Sequence, residues 1–420
     1  MKTGCVGCFL GAMAGDILGA PVEGYSAARI RAEFNGRPLR DFIDPNHLSD
    51  FVFARRLQEE ELRQGASLQL PPLQPRLGLY TDDTNGLLAI ACSLVDTKCL
   101  DAEHCALSTA EAWAHVDASS SSIVERGYPR SSAELFEALL LGEEDYREIG
   151  RRRFSEGSTS NGGAMRIASI GLAFRNLLLH HAPSSSSFSS SSSSAFSSSS
   201  SYEQEQPRRK QNEEDDEYSF REAVRTAILS THVHPDAVDA AAALARCVAL
   251  CALTPASSVS ELRPERVLKF ASDGSRSEEL RSRLDPLIKA LSQPRPPQQK
   301  EEKEGAEGDE EHMYDKQVLN SFSEWFQLKA ADAVATALWM FVRHGLPASA
   351  SSSSSKPEEC LIRTIAIGGD CDTIGCMVGA LLEALLGASW LPERCCSKWK
   401  TEREEGTMLS SWLKGLVGWT

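Results

Sequence analysis

Residues 7–23 read GCFLGAMAGDILGAPVE, with Gly7, Gly11, Gly15 and Gly19 spaced four apart. A glycine inside a helix costs about 1 kcal/mol relative to alanine. Four of them on one helical face make sense where another backbone must come very close. Residues 368–387, GGDCDTIGCMVGALLEALLG, nearly repeat the pattern through Gly375, Gly379 and Gly387. Both stretches therefore read as closely packed helices. Outward from them the chain keeps a helical period. Leu87, Leu88, Ile90, Ala91 and Leu94 fall on one stripe between Asn85 and Leu94. Pro235 opens PDAVDAAAALARCVALCAL, with Asp236 in its first turn. Further helices are expected from Lys329 to Arg343 and from Thr373 to Leu386. Alternation at period two is almost absent, so the fold class is all-α with no sheet.

Three segments cannot supply a core. Residues 182–217 join a serine tract to QPRRKQNEEDDE, residues 294–312 read PRPPQQKEEKEGAEGDEEH, and residues 347–357 are serine-rich. Their composition predicts disorder, because few side chains offset the entropy of ordering. Helical patterns resume on both sides of each, so they are read as loop insertions in one domain spanning residues 1–420.

Composition excludes several function classes. The net charge of −15 repels phosphate backbones, so a direct nucleic-acid reader is not expected. No apolar run reaches the roughly 20 residues that span a bilayer, and Asp16 interrupts the one stretch resembling a secretory signal. Twelve cysteines in so long a chain do not suggest a disulfide scaffold. Cys5 and Cys8 form an isolated CxxC without a second pair at zinc spacing. A reducing compartment, cytoplasm or nucleus, fits this usage.

Two acidic motifs carry the functional signal. YTDDT contains Thr81, Asp82, Asp83 and Thr84, and GGDCDTIG contains Asp370, Asp372 and Thr373. Each stands where a loop enters an apolar helix. One capping residue, worth about 1 kcal/mol, is enough for a helix start. Here each start has two aspartates and a threonine. Partly buried carboxylates at that density take up protons unless a cation intervenes. Oxygen ligands suit Mg²⁺, and the set has room for two ions about 3.5–4 Å apart. No His–Cys cluster points to zinc.

Other candidates surround these motifs. A capping role explains either Asp16 or Glu23 alone, and Glu23, after a Gly-Ala-Pro turn, also reads as a helix-end residue facing a cleft. EGSTSNGGAMR holds Gly157, Ser158, Asn161, Gly162, Gly163 and Arg166. Glycines before a helix allow backbone N–H groups to approach phosphate. STHVHP contributes His232 and His234. A lone histidine is more often a structural donor than a catalyst.

In this order, GCFLGAMAGDILGAPVE, YTDDT, SNGGAMR, THVHP and GGDCDTIGCMVGALLEALLG resemble the ADP-ribosylglycohydrolase family, typified by dinitrogenase reductase-activating glycohydrolase. The likeness runs from Gly4 to about Gly387, insertions aside. RGYPRSSAELFEALL and the Gly-Ser before SNGGAMR resemble the branch that removes ADP-ribose from serine and degrades poly(ADP-ribose). The resemblance implies a single compact orthogonal helical bundle, monomeric, carrying a binuclear Mg²⁺ site. It makes Thr81, Asp82, Asp83, Asp370, Asp372 and Thr373 metal ligands. It makes Glu23 a gating residue by the scissile bond, catalytic together with Asp82, Asp83 and Asp372. Gly157 and Ser158 would bind the diphosphate, with Asn161 and Gly162 beside them. His232 would contact ADP-ribose, and Phe154 would flank the adenine. Thr159, Ser160 and Cys371 depart from the branch, which has a tyrosine, a glycine and a threonine there.

The implied activity is Mg²⁺-dependent hydrolysis of the C1″ bond of ADP-ribose on modified proteins, serine-linked or polymeric, through an oxocarbenium-like transition state. Alternatives are an arginine-linked substrate, an inactive ADP-ribose binder, and a binuclear phosphoesterase.

Overall fold

The computed structural model describes residues 8–43, 48, 80–115, 126–181, 202–292, 306–321, 323, 325–346 and 356–393. Its α-helices run, in chain order, Cys8–Gly19 (α1), Ala27–Glu33 (α2), Asp82–Thr97 (α3), Ala102–Trp113 (α4), Arg130–Leu140 (α5), Ala168–Ala173 (α6) and Tyr202–Ile228 (α7). They continue with Pro235–Leu253 (α8), Pro264–Asp273 (α9), Glu278–Ser292 (α10), Ala306–Leu319 (α11), Ala330–Met340 (α12), Pro357–Ala366 (α13) and Cys371–Leu386 (α14). Among the described residues there is no strand, only the isolated bridges Ser26–Gly368 and Ser160–Lys329.

The two glycine-patterned helices meet each other. A methyl group on Gly375 would stand 2.7 Å from the Gly15 carbonyl oxygen, and one on Gly19 would stand 2.5 Å from the Asp372 backbone. Gly11 and Gly379 likewise face one another's main chains. No side chain fits between the helices at these levels, so α1 and α14 lie backbone to backbone. Gly7 lies outside the described residues. Gly387 does something different from its expected packing role: nothing approaches it, and its φ of 76° ends α14. With ψ at −177°, it takes an extended positive-φ conformation that essentially only glycine adopts.

A second device ties the pair. Glu383, inside α14 and fully buried, accepts from the backbone N–H of Gly11. The backbone N–H of Leu10, in the first turn of α1 where no intrahelical acceptor exists, also bonds Glu383. Burial pushes the Glu383 carboxyl well above its usual range, against these backbone bonds.

Around this pair, α8 and α12 are almost wholly buried and mostly apolar, and their buried charges Asp239, Arg246 and Asp332 are paired with Arg221, Glu217 and Arg283. A helix apolar over most of its surface belongs in a core. One cluster joins α1, α3, α8, α12 and α14, and a smaller one centres on Phe136, with the Tyr128 ring edge-on at 5.6 Å.

Two insertion boundaries differ from expectation. Helix α7 runs from Tyr202, so the charged part of residues 182–217 continues as helix. Glu, Gln, Arg and Lys are good helix formers, and Phe220, Val224 and Ile228 seat the far end of the helix in the core. Helix α11 likewise begins at Ala306, inside 294–312. It is held by Asp315, which accepts from Trp339 Nε1 at 2.9 Å and pairs with His344 Nε2 at 2.6 Å. Residues 182–201, 293–305 and 347–355 lie outside the described residues.

Candidate functional site

The first acidic motif is positioned from another helix. Asp16 of α1 is fully buried and accepts from Thr81 N at 3.0 Å, Thr84 N at 3.1 Å and the Thr84 hydroxyl at 2.6 Å. The Thr81 hydroxyl lies 2.9 Å from Asp16 Oδ1 and 3.0 Å from Asp83 Oδ2. Asp16 thus caps α3 across the interface, satisfying N–H groups that the first turn leaves without partners. Asp82 and Asp83 follow immediately, near the positive end of the helix dipole.

The second motif is set by two left-handed glycines, Gly368 at φ 74° and Gly369 at φ 77°. Their turn zips onto the end of the Glu23 loop: Gly24 N donates to Gly369 O and Gly369 N to Tyr25 O, each at 2.9 Å. This is why Glu23, distant in sequence, reaches Asp370. Gln327, buried in the loop before α12, adds a third support. Its Oε1 accepts from Asp370 N at 3.1 Å, and its carbonyl accepts from Asn161 Nδ2 at 3.0 Å. Asn161 Nδ2 also donates to Asp370 Oδ2 at 2.6 Å.

Two acidic triads result. Oxygens of Asp16, Asp83 and Asp372 lie within 4.8 Å of one another, as do oxygens of Glu23, Asp370 and Asp372. Asp372 belongs to both. Asp82 belongs to neither, although it is close enough to feel the charges of Asp16, Glu23 and Asp370. Thr373 hydrogen-bonds both Asp83 and Asp370.

The electrostatics are those of a site short of positive charge. Burial pushes Asp83 and Asp372 well above the usual carboxylate range, with neighbouring carboxylates adding to it. Burial, then Asp16 and Glu23, raises Asp82 to about 8. Glu23 opens to solvent at the rim, yet partial desolvation, then Asp370 and Asp16, raises it to about 7. Asp83 Oδ1 and Asp372 Oδ1 are buried without any hydrogen-bond donor. Buried carboxylate oxygens are normally paired with a donor or a cation.

The glycine-rich loop borders this centre. Gly157 has φ 89°, and a side chain there would strike Val233 and His234. Ser158 and Ser160 are partly exposed, Asn161 is buried toward Asp370, and Gly162 lies against the His232 ring. His232 itself is buried beneath the loop. Its Nε2 is 2.9 Å from Ser160 Oγ and its Nδ1 2.8 Å from Thr231 Oγ1, so both nitrogens are engaged inside the protein. Phe154 is exposed, with the Arg153 guanidinium over its ring.

The family model described as ADP-ribosylglycohydrolase matches residues 3–200 and 211–419, essentially the whole chain. The chain belongs to the ADP-ribosylglycohydrolase family. Membership makes it a hydrolase acting on ADP-ribosyl linkages. Two relatives of this family member are each named ADP-ribosylhydrolase ARH3. The one from Bos taurus is 24% identical over 399 residues, covering 92% of this chain and 86% of the relative. The one from Mus musculus is 23% identical over 394 residues, covering 92% and 85%. A solved structure described as an ADP-ribosylglycohydrolase-related protein complex shares the fold, with a TM-score of 0.51, 18% identity, and coverage of 98% of this chain and 96% of that one. No helix among the described residues of the glycohydrolase is long and apolar enough to cross a membrane.

Gln327 and Glu383 were not foreseen as parts of this ADP-ribosylglycohydrolase architecture. A lone glutamine in a loop and a lone acid in an apolar helix give no local signal, since their partners come from other elements.

Proposed function

We infer that the protein is a divalent-cation-dependent hydrolase that cleaves the C1″ bond of ADP-ribose on modified proteins, serine-linked or polymeric. The observation that supports this most is the pair of donorless, buried oxygens, Asp83 Oδ1 and Asp372 Oδ1, within overlapping acidic triads. Hard oxygen donors at this density fit Mg²⁺. Thr81, Asp82, Asp83, Asp370, Asp372 and Thr373 would hold two ions, with Asp372 common to both triads. When bound, the ions would supply fixed positive charge that orients the sugar hydroxyls and activates a water.

The chain's own residues do the rest. Asp16 and Gln327 hold the two helix entrances in register. Glu23 stands at the solvent-facing rim of the centre, beside Asp370 and Asp372. It is placed to give a proton to the leaving oxygen, or to take one from water, as general acid–base catalysis requires. Gly157, Ser158 and Gly162 form the phosphate-facing loop, and exposed Phe154 offers a flat face to the adenine.

The test is to incubate the protein with serine-, arginine- and polymer-linked ADP-ribose, with Mg²⁺ or with excess chelator. Release of intact ADP-ribose from the serine substrate, abolished by chelator, is expected. Release of phosphate instead, or preference for the arginine linkage, would overturn the assignment of class or of linkage respectively.

A further inference from the structure

A chain of hydrogen bonds runs from a buried cation to the surface of the glycine-rich loop. Arg166, 3% exposed, donates to the Thr231 hydroxyl. Thr231 Oγ1 is 2.8 Å from His232 Nδ1, and His232 Nε2 is 2.9 Å from Ser160 Oγ. The Ser160 and Ser158 hydroxyls are 2.9 Å apart, and Ser158 Oγ also accepts from Ser160 N at 3.2 Å. Burial and the nearby Arg166 charge push His232 down to about 3, so the ring is neutral at any working pH. One of its nitrogens therefore donates and the other accepts.

The guanidinium decides which. It can only donate, so Thr231 Oγ1 turns a lone pair toward it. A neutral imidazole beside a cation is most stable with its bare nitrogen on the near side and its N–H pointing away. Thr231 then donates to Nδ1 in preference to the Ile228 carbonyl, which lies farther off at 3.3 Å. Nε2–H in turn donates to Ser160 Oγ. The Ser158–Ser160 pair has two hydroxyl hydrogens and uses one to join its members. With Nε2 as donor, the other hydrogen is left for a ligand. With Nε2 bare, the ring would consume it, and the loop would present only lone pairs.

We propose that Arg166, acting through Thr231 and His232, fixes the proton order of the Ser158–Ser160 pair so that the loop offers a hydroxyl donor to a phosphate oxygen. Arg166 and Thr231 are then positioning residues that act through His232. The identity of that phosphate as the ADP-ribose diphosphate rests on the function inferred above. Such polarised chains strengthen each member, because every donor is also an acceptor.

Nitrogen-15 NMR of the histidine-labelled, ligand-free protein tests the relay without any substrate, with His232→Gln identifying the signal. The Nε2–H tautomer is expected at pH 7–8, and Thr231→Val should move the population toward Nδ1–H. An Nδ1–H tautomer in the unsubstituted protein overturns the proposal. Pyrophosphate binding supplies the second arm: Ser160→Ala should weaken it about tenfold, the scale of one hydrogen bond to a charged group. Unchanged pyrophosphate affinity contradicts the proposed donor. Failure of ADP-ribose itself to bind, with the tautomer and pyrophosphate results as expected, would sink the functional reading and leave the relay standing.

Discussion

Replacing Gly19 by alanine tests how tightly the fold holds the chemistry. Gly19 ends α1 at φ −81°, a conformation alanine adopts freely, and alanine favours helix by about 1 kcal/mol. Local propensity alone therefore predicts a stabilised protein. The tertiary structure predicts the opposite. The new Cβ would stand 2.5 Å from both the Cα and the N of Asp372, where ordinary contact begins at 3.4 Å. Both sides are backbone, so no rotamer relieves the clash, and α14 must retreat by about 0.9 Å at Asp372. Overpacking of this kind costs about 1–3 kcal/mol, leaving a net loss of roughly 1 kcal/mol after the helix gain. The functional effect should be larger. Catalytic constellations tolerate about 0.5 Å of misplacement, and a shift near 1 Å costs about a hundredfold in rate. Denaturant unfolding and initial rates of ADP-ribose release, measured on the same preparation, separate the two effects. A variant as active as the parent, and equally or more stable, would refute the claim that the α1–α14 contact sets the position of Asp372.

Other outcomes follow from the same geometry. Asp372→Asn should raise the stability of the chelator-treated protein, because a buried like charge is removed, and should reduce activity in Mg²⁺ by at least a hundredfold; thermal melting with and without Mg²⁺ and a rate assay read both. Glu23→Gln should keep the Mg²⁺-induced thermal shift while slowing hydrolysis about a hundredfold or more; a full rate would remove Glu23 from proton transfer. In chelator, the folded carboxyls of Glu23, raised to about 7, and Asp82, raised to about 8, bind protons more tightly than in the unfolded chain. The sign follows from linkage: stability should fall as pH rises from about 4 to 8, and Mg²⁺ should flatten that slope. A melting temperature that climbs with pH across this window in chelator would contradict the crowded-carboxylate picture.

The parts of the molecule that announced themselves did so through residues whose cost has no local excuse. Gly11, Gly15 and Gly19 waste helix propensity in isolation, and the waste is explained by the main chain of α14 at van der Waals distance. Two aspartates and a threonine exceed what one helix cap needs, and the structure brings Asp83, Asp370 and Asp372 together. Asp16 reads as a cap in sequence and is one, but it caps α3 rather than its own helix. What stayed hidden depends on partners far along the chain. Gln327 and Glu383 look ordinary until Asp370 and Gly11 arrive beside them. The stretch before Glu217 reads as disordered yet continues as helix from Tyr202, because strongly charged helices and disordered segments share a composition. His232 reads in sequence as a structural donor or a ligand contact, and the partners of its two nitrogens, Thr231 and Ser160, are ones that no local pattern reveals.

Manganese titration, followed by electron paramagnetic resonance with the metal counted by mass spectrometry, addresses the acidic centre most directly. Two Mn²⁺ per chain, magnetically coupled through their proximity and both weakened in Asp372→Asn, is the predicted result. Binding of a single ion would contradict the two-ion centre, and no binding, or binding that Asp372→Asn leaves untouched, would mean that the helix entrances at Asp83 and Asp372 meet for some purpose other than holding cations.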